Sequence, residues 1–289
     1  MPDSPGALRA LFLASRPKTW AASLCPVAIG SSLALKNGPI SFPLLSYALL
    51  FSLLIQIGTN FANDYFDFLK GTDHAGRIGP KRAVANGWIS PAQMKQLYLG
   101  TFAFAFLVSL PLLQAAGFWT FPFVFSCIVF GILYTGGPKP LGYLGLGEIF
   151  VLLYFGPVAV LGSYFVQHHT LSPTLFALSL SPGLLSAAIL TANNLRDEKT
   201  DRASKKNTLV VRFGQTFGQF QYTAFIALAL VLPGMSGFYL QLLLLLPAIF
   251  LIRKAWTFQT PQEAMPLLAQ TALLLFAFTI LFCIEVLWL

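Results

Sequence analysis

Residues 43–73 read PLLSYALLFSLLIQIGTNFANDYFDFLKGTD. The stretch begins as an apolar run and ends in three aspartates. Its first part, Pro43–Asn63, meets the requirement of roughly 20 mostly apolar residues to cross a hydrocarbon layer about 30 Å thick. Its second part carries Asp64, Asp67 and Asp73, which belong where such a helix leaves the bilayer. The stretch therefore predicts a membrane helix with polar chemistry at one end.

The rest of the chain repeats the first half of that pattern. Further spans are predicted at about Thr19–Leu35, Leu97–Ala116, Phe118–Thr135, Leu146–Gln167, Leu171–Asn194, Phe217–Gly234, Phe238–Ile252 and Met265–Leu289, nine in all. Pro233 and Gly237 leave only a tight turn between the seventh and eighth. Composition agrees: 56% of the 289 residues are hydrophobic and 10% are charged, against roughly 25% charged in a soluble domain. So few charges cannot cover a water-facing surface, and lipid must cover it instead. The net charge of +8 would suggest nucleic acid on a soluble protein, but here the basic residues lie between apolar runs and nucleic acid is not an expected partner. With the N-terminus placed in the cytoplasm, every Lys and Arg except Lys36 falls on the inside, as the positive-inside rule requires. Met1–Leu13, with Asp3 and Arg9, is too short and polar to span, and no cleavable signal is expected. Cys25, Cys127 and Cys283 lie in apolar runs and read as small buried side chains.

Two inside loops, 64–96 and 195–216, hold most of the acidic residues. The first cluster is Asn60, Asn63, Asp64, Asp67 and Asp73; the second is Asn193, Asn194, Asp197, Glu198 and Asp201. If the helices continue through them, Asp64 shares a face with Asp67, and Asp197 with Asp201. Each cluster is followed by a basic pair, Lys81-Arg82 and Lys205-Lys206. Facing aspartate pairs repel without a counterion, and Mg²⁺ is a hard cation that takes carboxylate oxygens together with phosphate. Lys and Arg nearby neutralise phosphate oxygens. A single Asp-x-x-Asp is also the spacing of ordinary helix-surface charges. Two matching clusters at matching positions point instead to a Mg²⁺-diphosphate site, with Asp64, Asp67, Asp197 and Asp201 as metal ligands.

At these residues the sequence resembles the UbiA superfamily of intramembrane prenyltransferases. Within it the chain looks most like the naphthoate prenyltransferases of menaquinone synthesis. The resemblance is carried by Arg16–Trp20, Asn60–Asp73, Gly76–Pro80, Tyr134–Gly137, Gly142–Glu148 and Asn193–Gly214. Gly71 lengthens the gap from Asp67 to Asp73 beyond what many members show, as in the naphthoate branch. The resemblance implies an all-α, polytopic membrane bundle of about nine transmembrane helices forming one domain over residues 1–289, built as two related four-helix halves plus a final helix. It implies transfer of a polyprenyl group from polyprenyl diphosphate to 1,4-dihydroxy-2-naphthoate, with loss of CO₂, at a cytoplasm-facing site in a bacterial inner membrane. The tail would lie in an apolar groove open to the lipid bilayer, and Phe61, Tyr65, Phe66 and Tyr134 are candidate liners for the carbocation.

Other roles divide. Asn60, Asn63, Asn193 and Asn194 are either metal or diphosphate ligands or inter-helix hydrogen-bond formers. Asp73 enters the metal shell or orients Lys70 or Arg77. Lys139 reaches the diphosphate or snorkels to the interface. Arg16 and Lys18 bind the acidic acceptor or a phosphate, or set topology alone; Lys205, Lys206 and Arg212 divide likewise. Glu148 is a base for the acceptor hydroxyl or a residue favoured by the helix dipole. His74 touches acceptor or metal or is a solvated loop residue, His168 and His169 lie at the opposite face, and Glu285 is expected at the interface there. Sibling acceptors such as 4-hydroxybenzoate, homogentisate or a phylloquinone precursor compete with naphthoate. A cation-coupled transporter competes from another class, though its site would be expected near the bilayer midplane.

Overall fold

The computed structural model describes residues 5–72, 79 and 81–288; among them there are helices and turns and no strand. The first motif's Asp73, His74 and Arg77 lie outside the described residues. A short α1 (Ala7–Ala14) leads to α2 (Trp20–Asn37) and then α3 (Phe42–Leu69), α4 (Pro91–Ala116) and α5 (Phe121–Leu133). A short α6 (Gly147–Leu153) passes through a π-helical turn into α7 (Ala159–His168), followed by α8 (Pro173–Ala203). The chain closes with α9 (Leu209–Phe213), α10 (Gln215–Val231), α11 (Leu245–Thr257) and α12 (Pro261–Trp288). The starts are encoded locally: Ser90 and Gln93 form a capping box ahead of Pro91, and Ser172 accepts from the Leu175 amide just before Pro173.

All nine predicted segments are helical. Among the described residues, seven helical stretches are long and apolar enough to cross a membrane: Phe42–Leu69, Pro91–Ala116, Gly147–His168, Pro173–Ala203, Gln215–Ser236, Leu240–Thr257 and Pro261–Trp288. The stretch Phe118–Leu133 is shorter but apolar. Large apolar side chains such as Leu243, Leu246, Leu273 and Phe220 are exposed on the helix flanks, as lipid-facing surfaces require.

Helix length positions the chemistry. At 1.5 Å per residue, α3 with 28 residues and α8 with 31 are about 42 and 46 Å long. Both overrun a hydrocarbon layer of about 30 Å. Both run unbroken through their aspartates, so the motifs are the last helical turns rather than loops.

α8 is the central helix, packed against α6, α10 and α12. Small residues let backbones close on it. A β-carbon at Gly183 would lie 2.4 Å from the Leu152 carbonyl oxygen, and one at Gly156 would lie 2.8 Å from that of Ser179. Gly156 is also where the α6–α7 segment bends (φ −110°, ψ −105°). The end away from the motifs is latched by amide-type contacts. Gln167 exchanges hydrogen bonds with the Ser41 backbone (2.9 and 3.1 Å), Asn37 donates to the Tyr164 hydroxyl (2.8 Å), and His168 Nε2 meets the Ala34 carbonyl (2.8 Å). Glu285 is buried there rather than interfacial, and accepts from the backbone amides of Tyr239 and Leu240, the latter at 2.9 Å. A second, smaller core (Ala10, Ala14, Phe61, Ala83, Val84, Met94 and neighbours) packs the 82–89 turn against α3 and α4, directly beside the first motif.

Candidate active site

The two described carboxylates of the first motif, Asp64 and Asp67, are held by the chain itself. Asp64, on the last turns of α3, accepts from the backbone amides of Ala83 (2.9 Å) and Val84 (3.2 Å), so it anchors the turn that the second core packs down. Asp67, one turn on, accepts from the Tyr143 hydroxyl (2.8 Å) and pairs with Arg82 (3.1 Å). Asp64, Asp67 and Arg82 are all buried, where an uncompensated charge would cost several kcal/mol.

The second motif has the same character. Arg196 chelates its neighbour Asp197 through two bonds (Nε to Oδ1, 2.7 Å; Nη2 to Oδ2, 2.6 Å) and also donates to Asn193 Oδ1 (2.8 Å). Lys206 joins the two motifs: its ammonium lies 3.7 Å from Asp67 and 4.0 Å from Asp201. One side chain thus touches a carboxylate from each helix end, although the aspartates are far apart in sequence.

The amides are engaged with protein groups. Asn60 donates to the Ser15 carbonyl (2.9 Å) and the Thr19 hydroxyl (3.0 Å), tying α3 to the turn before α2. Asn63 accepts from Thr135 (2.7 Å). Asn194 donates to the buried carboxylate of Glu148 (2.9 Å), which links the second motif to the start of α6. Tyr134, half-buried, lies within electrostatic reach of Glu148, Asp201, Asp67 and Arg16, between the clusters. Arg16, in the left-handed backbone region (φ 52°), acts on Asp64 as well. Lys18, Lys139 and Lys205 are exposed, away from the buried carboxylates.

Three residues do much of the holding: Arg82, from the basic pair that follows the first motif, and Arg196 and Tyr143, which were given no role from the sequence. Lys70 is a fourth; its ammonium donates to the Thr135 carbonyl and sits 4.6 Å from the Tyr143 ring centre. Desolvation there lowers its pKa below the ordinary lysine value, and the nearby Lys206 charge lowers it further while Asp67 opposes both.

The donors are hard oxygens, as Mg²⁺ prefers. Among the described residues no three His, Cys, Asp or Glu groups gather into a closed cage.

Among the described residues, a helical membrane protein thus draws paired carboxylates and cations together at one end. Residues 23–280 match the model of the UbiA prenyltransferase family, and the chain belongs to that family. It is 41% identical over 206 residues to a 1,4-dihydroxy-2-naphthoate octaprenyltransferase of Escherichia coli (strain K12), covering 69% of this chain and 67% of that one. The enzyme of the same name from Haemophilus influenzae is 33% identical over 293 residues, 94% of each chain. Among solved structures, the apo form of a UbiA homolog from Aeropyrum pernix K1 superposes with a TM-score of 0.70 at 16% identity, covering 92% of this chain and 98% of that one. A UbiA homolog from Archaeoglobus fulgidus solved with DMAPP and Mg²⁺ gives 0.63 at 15% identity, covering 95% and 99%.

Proposed function

We propose that this chain transfers a polyprenyl group from polyprenyl diphosphate to 1,4-dihydroxy-2-naphthoate, with loss of CO₂, in the menaquinone pathway that the resemblance implies. The relatives carrying that activity in their names support the acceptor. The observation that carries the site is the Lys206 ammonium shared by Asp67 and Asp201, because it draws both motifs to one point.

Asp64, Asp67, Asp197 and Asp201 would hold Mg²⁺ jointly with the diphosphate, and the metal supplies charge stabilisation for the leaving group. The chain's own work is electrostatic. Arg82, Arg196 and Lys206 neutralise the carboxylates in the absence of substrate and supply positive charge to the diphosphate once it arrives. The allylic C–O bond breaks, and the electron-rich naphthoate ring captures the resulting carbocation. Tyr134, Phe61, Tyr65 and Phe66 present aromatic faces that stabilise the cation and exclude water. Glu148, held by Asn194, takes the acceptor hydroxyl proton as the ring attacks and returns it to the same oxygen once CO₂ has left. Arg16 orients the acceptor's carboxylate before it leaves as CO₂.

The topology belongs to the same reading. Nine crossings with the N-terminus inside put both motifs at the cytoplasmic face of a bacterial inner membrane, and the placement of all basic residues but Lys36 supports it. The test is to incubate the purified protein with Mg²⁺, an allylic diphosphate and 1,4-dihydroxy-2-naphthoate, and to measure prenylated product and CO₂ beside an Asp64→Ala, Asp197→Ala control. Product from the wild type alone supports both acceptor and metal site. Product only with another ring overturns the acceptor, and no product with any ring overturns the reading.

A further inference from the structure

Tyr143 lies in no predicted helix and carries no charge, yet three segments of the polar end meet on it. Its hydroxyl donates to Asp67 Oδ1 at 2.8 Å and stands 3.3 Å from the Thr72 hydroxyl. Its carbonyl accepts from the Asn207 amide at 3.0 Å, which pins the turn holding Lys206. Its ring carries two ammonium groups, Lys70 at 4.6 Å and Lys206 at 4.9 Å from the centroid. Lys70 comes from the first motif and Lys206 follows the second, and the Lys206 charge acts on Lys70. Two ammonium groups gathered on one ring repel. The ring's negative face and the Asp67 carboxylate offset part of that repulsion, and a multiply charged anion would offset the rest. A tyrosine serving only to fill space would need neither its hydroxyl on a carboxylate nor two cations over its face.

We propose that Tyr143 is a positioning residue for the diphosphate: its hydroxyl fixes Asp67 while its ring holds Lys70 and Lys206 as a paired cation site. This rests on the prenyl-transfer reading above and adds to it which side chains set the spacing of the cations. The two functions of the residue separate chemically. Phenylalanine keeps the ring and loses the hydroxyl; leucine loses both.

The experiment is calorimetric titration of inorganic diphosphate, in the presence of Mg²⁺, into the full-length protein in detergent. It compares wild type, Tyr143→Phe, Tyr143→Leu and Lys70→Met, with KM and kcat for the allylic diphosphate measured alongside. Tyr143→Leu and Lys70→Met should each weaken diphosphate binding by about tenfold or more, the loss expected when a contact to an ionised group disappears. KM for the allylic diphosphate should rise with it while KM for the aromatic acceptor stays put. Tyr143→Phe should recover most of the diphosphate affinity but need a higher Mg²⁺ concentration than wild type to reach it. Wild-type affinity in Tyr143→Leu, or equal losses in the Phe and Leu variants, overturns the proposal. If Tyr143→Leu does not fold, unchanged diphosphate affinity in Lys70→Met overturns it as well. The titration involves no aromatic ring, so a wrong acceptor leaves it intact; a wild type that binds no diphosphate at all removes the transferase reading along with it.

Discussion

Replacing Arg196 by methionine tests the idea that the second motif's cations stand in for a metal. The guanidinium makes two short bonds to Asp197 and one to Asn193, and both charged side chains are almost fully buried. Removing one partner of a buried pair typically costs about 3–5 kcal/mol, because the other charge is left uncompensated. At roughly 2–4 °C per kcal/mol for a chain of this size, the unfolding midpoint should fall by roughly 6–20 °C. The assay is thermal unfolding in detergent, followed by tryptophan fluorescence, first in a chelator and then with Mg²⁺ and inorganic diphosphate. A divalent cation restores positive charge beside Asp197, so the deficit should narrow when metal is present. Arg196→Lys keeps the charge but not the planar fork and should fall between. An unaltered midpoint in the chelator would show that Arg196 does not compensate Asp197. A deficit that metal leaves untouched would show that Asp197 is not a metal ligand.

Other outcomes follow from the same geometry. Glu148→Gln keeps an acceptor for Asn194 but loses the base, so kcat should drop by about 10²–10⁴-fold with KM for the allylic diphosphate unchanged; equal loss in both would place Glu148 in binding. Asp64→Asn keeps only one of the two carboxylate acceptors for Ala83 and Val84. It should speed amide hydrogen exchange over residues 82–89 as well as abolish turnover, and unaltered exchange there would refute the anchoring role. Asn60→Ala should cost about 1–2 kcal/mol of stability while leaving diphosphate affinity intact; a selective loss of affinity would make Asn60 a ligand instead. For topology, Lys36→Cys should react with an impermeant thiol reagent from outside the cell and Lys139→Cys only after the membrane is opened, and the reverse pattern would invert the orientation.

Apolar runs were sufficient to place the helical segments, because bilayer thickness and the lipid boundary act on local sequence. The two aspartate pairs were legible for a similar reason: same-face spacing survives when the helix continues through it, as α3 and α8 do. The basic pairs announced Arg82 and Lys206, but two other holding side chains, Arg196 and Tyr143, were not legible. Adjacent residues on a helix do not face each other, so nothing in the order Arg196-Asp197 announces a chelate; it arises because the long guanidinium arm folds back over a buried carboxylate. Tyr143 sits in a turn without periodicity, and its partners Asp67, Lys70 and Lys206 are brought to it only by tertiary folding. Glu285 misled in the opposite direction, since a carboxylate near the end of an apolar helix looks interfacial until the amides of Tyr239 and Leu240 turn towards it.

The two ends of the bundle are fastened by different kinds of joinery. Away from the motifs, backbone groups are matched with Gln167 and His168 and the Tyr164 hydroxyl with Asn37, and further along Gly156 and Gly183 leave no room for a side chain between the α6–α7 segment and α8. At the motif end, arginine and lysine arms on carboxylates are added to contacts of that kind, and a charged arm can trade one anion for another without unpacking a helix. In the proposed reaction a bulky diphosphate would be admitted by such an exchange of ionic partners, with the contacts at the opposite end left in place.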